Sequence, residues 1–212
     1  ATIHISWMSG LAKDFIAHKY SLKHLIRTIC TSRTYQLSSN PNDFNKHDKQ
    51  NYARYFPKRM QAEVMHDAIV AVTGSPSSFG GLPPGTRAIE LLDESSATYF
   101  LTVFGKPQRE SACECERVGQ ANLAQSLHLL NSNEIQGKIS GGSRIAAWMN
   151  DKEKSDSDRM TELFLTCYAR TPTADEMELA LKHIEAKKDK KKEAYEDLMW
   201  VLINTKEFLF ND

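Results

Sequence analysis

The chain has 212 residues, 41% apolar and 25% charged, a profile that excludes a disordered polypeptide and is long enough to bury a core without staples. Its 27 basic and 27 acidic side chains cancel, and no apolar run approaches the roughly 20 residues needed to span a bilayer. A nucleic-acid module ordinarily carries a basic total. The local excess in residues 1–60, ten Lys and Arg against three Asp and Glu, is therefore read as packing near the acidic middle of the chain.

The chain opens on Ala1, and residues 1–10 lack the charged start and long apolar stretch of a signal peptide. It reads as a mature fragment or a domain taken from a longer protein. From Leu11 to Cys30, Phe15, Ile16, Leu22, Leu25, Ile26 and Ile29 recur near helical spacing, and Ser21 is placed to cap a second helix after a break. Residues 31–56 are polar and rich in Asn, Ser, Tyr and Arg, which predicts a long ordered loop. Pro57 suits the first turn of a helix. Val64, Met65, Ala68, Ile69 and Val72 form its apolar stripe, with Gly74 at the C-terminal cap.

Residues 75–85 read as loop. Arg87 to Leu92 and Thr98 to Phe104 have the bulk of short extended segments, and residues 121–130 that of a helix. A short helix is expected over Ser143 to Met149, and a longer one capped by Ser155 or Ser157 carries Met160, Leu163, Phe164, Cys167 and Tyr168. Thr173 and Glu176 form a capping box that opens a helix through about Ala186. Lys187 to Lys192 reads as a solvated turn, followed by a last helix through about Asn204. The expected fold class is mainly α: an irregular helical domain with long ordered loops, at most one small β element near residues 87–104, and a C-terminal antiparallel helix set.

Cys113 and Cys115 are the sharpest local feature. Residues two apart on an extended segment share a face, so both thiols reach one metal or one redox partner. Two cysteines do not close a zinc site, and His128 or Glu110 would have to add ligands. A disulfide to Cys30 or Cys167, or a pair of buried thiols, stays open. Glu63, His66 and Asp67 fall within one helical turn, a spacing that admits acid–base chemistry as well as a surface ion pair. No haem attachment motif, hydrolase elbow or phosphate loop occurs, so no cofactor or reaction is assigned. The loop residues Arg33, Tyr35, Gln36, Asn40, Asn51, Tyr52 and Arg54 are planar polar and aromatic groups suited to a ligand or partner surface. A loop of this length is often functional.

Asp14-Phe15, residues 22–27, Ser32 to Ser38, Asn51 to Arg54, Pro57 to Arg59, Gly81 to Pro83, Gly85 to Arg87, Cys113 to Arg117, Gln125 to Asn131, Arg170 to Pro172 and Asn204 to Phe210 together resemble a planctomycete-specific domain. Proteins of that family carry it at the C-terminal end of large exported chains, often with a cytochrome-c-like domain upstream. The resemblance covers residues 11–212 as a single domain and leaves residues 1–10 as a boundary segment. It implies an exported, periplasmic or cell-envelope location and companion domains in the same parent protein. The expected function is a non-catalytic binding or structural module that docks a companion domain or holds an envelope or polysaccharide ligand. The alternative is a metal- or thiol-dependent enzyme or redox subunit using Cys113 and Cys115.

Overall fold

The computed structural model of the protein describes residues 2–48, 50–91, 98–107, 125, 128, 129 and 132–211. The chain is mainly helical, as expected, and divides into two compact units, Ala1–Lys58 and Arg59–Asn211.

In the first unit α1 spans Thr2–Ala17 and α2 spans Leu22–Cys30. Ser21 caps α2, its hydroxyl accepting the His24 amide at 3.3 Å. Before it, Lys19 and Tyr20 both adopt left-handed backbone, with φ of 55° and 60°. Side-chain-bearing residues rarely enter that region. The Tyr20 amide donates back to the Phe15 carbonyl at 2.9 Å, and the two rings meet edge-on at 5.5 Å. This turn packs α2 on α1. The loop that follows is held largely by its own short polar side chains. Asn42 Oδ1 accepts the amides of Phe44 and Asn45 at 3.0 and 2.9 Å, and Asp48 Oδ1 accepts those of Gln50 and Asn51, both at 3.0 Å.

The second unit contains α3 (Ala62–Thr73), α4 (Tyr99–Val103), α5 (Asn133–Gly141), α6 (Ser143–Asn150), α7 (Asp156–Tyr168), α8 (Ala174–Ala186), α9 (Lys191–Ile203) and α10 (Lys206–Leu209). Met65 and Ile69 of α3 pack with Phe100, Ile139, Leu163 and Tyr195 in one core, each at most 2% exposed. The Thr173–Glu176 capping box forms: Thr173 Oγ1 accepts the Glu176 amide, and Glu176 Oε2 accepts the Thr173 amide at 2.7 Å. Tyr195 ties α9 to α7, donating to Asp156 at 2.6 Å and accepting from Arg159 at 2.9 Å.

Three expectations are corrected. Residues 88–90 form a 3-10 turn and residues 99–103 an α-helix, not extended segments. The reason is capping: Asp67 accepts the amides of Ala88 and Ile89, and Thr98 accepts that of Leu101. Phe100, Leu101 and Phe104 then share one buried helical face. Pro57 does not open a helix, because the chain first pairs two extended residues, Lys58–Arg59 (β1), with Phe210–Asn211 (β2). Met60 N continues that pairing to Leu209 O at 3.1 Å, and α3 starts only at Ala62. The small β element lies there, not near residues 87–104. The helix at Asn133–Gly141 was not anticipated; Gly137 and Gly141 lower its intrinsic propensity. Most of the helix expected over residues 121–130 lies outside the described residues.

At the end of α3 two backbones approach each other closely. Gly74 caps it in left-handed conformation, φ 67°. Gly142, between α5 and α6, lies so near that a Cβ would stand 2.1 Å from the Thr73 carbonyl oxygen and 2.7 Å from that of Lys138. Gly142→Ala is expected to cost more than about 3 kcal/mol and lower the melting temperature by roughly 10 °C. Gly141→Ala, with open space at its Cβ, should be neutral or slightly stabilising by thermal melt.

Candidate functional site

The loop residues proposed as a ligand surface all lie in the first unit, on one connected but irregular stretch. Arg54 stacks its guanidinium over Phe56 at 4.2 Å and donates to the Ser39 carbonyl at 3.3 Å. Tyr35 meets Tyr55 edge-on at 6.1 Å. Asn51 Nδ2 is turned inward onto Asp48 at 3.1 Å. Those backbone and side-chain donors hold the Asp48 carboxyl below its ordinary range, the Gln50 amide contributing most. Arg33, Gln36, Asn40 and Tyr52 are exposed, and Tyr52 sits at a positive φ of 55°. Only Arg54 of this set is partly buried; Tyr35 and Asn51 make contacts within the loop yet stay exposed, like Arg33, Gln36, Asn40 and Tyr52.

Beside this loop, α2 presents an uncovered apolar face. Leu22 is 66% exposed and Ile26 60%, and α2 buries none of its residues. Phe44 on the loop is 98% exposed. The α1–α2 turn also brings Asp14, His18 and His24 together, a constellation that the sequence reading missed. His24 Nε2 lies 2.9 Å from Asp14 Oδ2, and His18 Nδ1 lies 3.2 Å from Asp14 Oδ1. The imidazoles stack with centroids 3.6 Å apart. The signal was the Ser21 cap itself: a break there puts His18 at the end of one helix and His24 in the first turn of the next.

In the second unit, His66 and Asp67 of the Glu63–His66–Asp67 trio lie side by side but take different further partners. Asp67 caps the 3-10 turn as described above, and His66 faces inward. A donor relay runs from Lys138 Nζ to Ser77 Oγ (2.5 Å) and from Ser77 to His66 Nε2 (3.0 Å), with His66 Nδ1 3.4 Å from Asp67 Oδ1. Lys138 also donates to the Ser75 carbonyl at 3.2 Å. The relay assigns the proton of neutral His66 to Nδ1. Burial holds His66 below its ordinary value, and does the same to Lys138. The geometry pins the loop over residues 75–79 onto α3. Ser77 and Lys138 stand 61 residues apart, so no local motif marked them.

Cys113 and Cys115 lie outside the described residues. His128 packs against the rings of Tyr99 and Phe100 at 5.3 and 5.6 Å, and burial lowers its pKa. Cys30 is a free, exposed thiol. Cys167 is a free thiol pushed up to about 12 by burial. Between α7, α8 and α9 lies an open, mostly apolar groove of about 340 Å³, lined by Phe164, Leu179 and Leu198 among others. Arg170 stands near its rim and grips Glu176 and Glu207 with paired hydrogen bonds of 2.7–2.8 Å. Arg170 is the main cause that holds the Glu176 carboxyl down to about 2. No described helix is long and apolar enough to cross a membrane.

These features define a mainly helical protein whose second unit has a well-packed core and whose α2 helix is exposed, and they single out no reaction. The chain belongs to the PSD1 family, described as a protein of unknown function (DUF1553), whose model matches residues 2–184. No curated protein and no solved structure matches it.

The His66 relay generates a pH prediction. The folded state resists protonating His66, whereas the unfolded chain takes that proton from about pH 6.5 downward. The contribution to stability is therefore complete above about 6.5 and is lost as pH falls below it. The melting temperature should drop between pH 7.5 and 5. His66→Gln should flatten part of that slope, and an unchanged slope would contradict the relay.

Proposed function

We propose that this chain is a non-catalytic docking module of a multidomain exported protein of the cell envelope, and that its first unit binds a companion domain of the same parent. The reading rests chiefly on α2, where Leu22, Ile26 and Ile29 are exposed on a helix that buries nothing. Covering such side chains is worth about 1.5–3 kcal/mol each when burial is complete. Contiguous exposed apolar patches of this kind mark interaction sites. Aliphatic side chains favour a protein partner over a polysaccharide, which would draw mainly on planar groups such as Tyr52, Arg33, Gln36 and Asn40.

The test is binding between this chain and the remaining domains of its parent protein, produced separately. Leu22→Glu with Ile26→Glu should leave the melting temperature within a few degrees, because both positions are exposed. It should weaken association at least tenfold. Binding that survives the double substitution, or that fails only with Tyr52→Ala and Arg33→Ala against a polysaccharide, would overturn the companion-domain reading in favour of a carbohydrate surface.

A further inference from the structure

We infer that Asp14, His18 and His24 form a binding site for a divalent transition-metal ion of the zinc type. The three side chains offer one ligand atom each, and these atoms lie within 4.8 Å of one another. Each carboxylate oxygen of Asp14 already faces one imidazole nitrogen, at 2.9 Å for His24 and 3.2 Å for His18. Ligand atoms about 2.0–2.1 Å from a tetrahedral zinc stand roughly 3.3 Å apart, so a single Asp14 oxygen serves beside both nitrogens, and the imidazoles, stacked at 3.6 Å between centroids, must splay for their in-plane lone pairs to meet at one ion. Two imidazoles and a carboxylate are the donor set that borderline ions such as zinc favour over calcium or magnesium.

The backbone brings the donors together. Asp14 and His18 are one turn apart on and just beyond α1, and His18 Nδ1 also lies 2.9 Å from the Asp14 carbonyl oxygen. His24 is set in the first turn of α2 by the Ser21 cap, and the paired left-handed residues Lys19 and Tyr20 return it over His18. Thr28 Oγ1 lies 3.3 Å from His24 Nε2 and completes the polar rim. Side-chain exposures of 34%, 48% and 33% for Asp14, His18 and His24 leave the cluster open to an entering ion. Three protein ligands leave the fourth position of a tetrahedral ion to water. Each neutral imidazole then carries its single proton on the ring nitrogen away from the ion, a tautomer exchange through solvent that releases no net proton. The site uses none of Cys113, Cys115 or His128, and it does not depend on the docking reading.

The experiment is calorimetric titration of the tag-free full chain with zinc chloride in a non-chelating buffer. One equivalent of zinc should bind. Loss of a group that merely hydrogen-bonds a metal ligand typically costs about 10–100-fold in affinity, so loss of a direct ligand in His18→Ala, His24→Ala or Asp14→Asn should cost at least tenfold. Circular dichroism should show all three variants folded, since every changed side chain is partly exposed. Cys113→Ser with Cys115→Ser should retain the equivalent. No binding by the parent chain would overturn the site. So would zinc binding that is lost with the cysteines and unchanged in His18→Ala, His24→Ala and Asp14→Asn.

Discussion

The last carbonyls of α3 need partners, and the first two residues of α6 supply them. Arg144 donates to Val72 O at 2.7 Å and Ala71 O at 2.9 Å, and Ser143 Oγ donates to Gly74 O at 2.8 Å. A cation at a helix C-terminus is favourable both as a donor and against the helix dipole. Only a glycine at position 142 lets the two backbones come this close. Arg144 then reaches Glu162 of α7 at 2.5 Å, and Trp148 and Lys154 share the same carboxylate. One guanidinium thus joins α3, α6 and α7. The buried relay from Lys138 to His66 lies against the same corner, because Lys138 sits one turn before Gly142.

The two units spend their apolar residues differently. In the second, Met65, Ile69, Phe100, Leu163, Tyr195 and Met199 are essentially sealed from solvent. In the first, α2 buries no residue and its loop is tied largely by Asn, Asp and Ser bonds to neighbouring amides. Such bonds shape a loop but contribute little net stability each, on the order of 1 kcal/mol. The first unit is therefore built to present side chains, and the second to hold a frame.

What could be read from the sequence follows the range of the physics. Ser21, Ser155 and the Thr173–Glu176 box act within four residues, and all three caps were legible. The helical stripes around Met65, Leu163 and Met199 were legible for the same reason. The 3-10 turn at 88–90 was not, because its cap comes from Asp67, 21 residues away. Nor were Ser77 with Lys138, or Arg144 with Val72, 72 residues apart. In the first unit, composition singled out the loop residues only as a group. Composition did not separate Arg54, partly buried against Phe56 and the Ser39 carbonyl, from exposed neighbours such as Gln36. The Asp14–His18–His24 cluster needs a turn with two left-handed non-glycine residues, which no local pattern announced.

The account stands or falls on the contrast between a sealed frame and an under-buried platform, and amide hydrogen exchange on the full chain measures that contrast directly. Amides of α3, α7 and α9 should be the slowest to exchange, opening only with global unfolding, while those of α2 exchange orders of magnitude faster. Protection of α2 equal to that of α3 would contradict it, since that would require the apolar face of α2 to be buried within this chain.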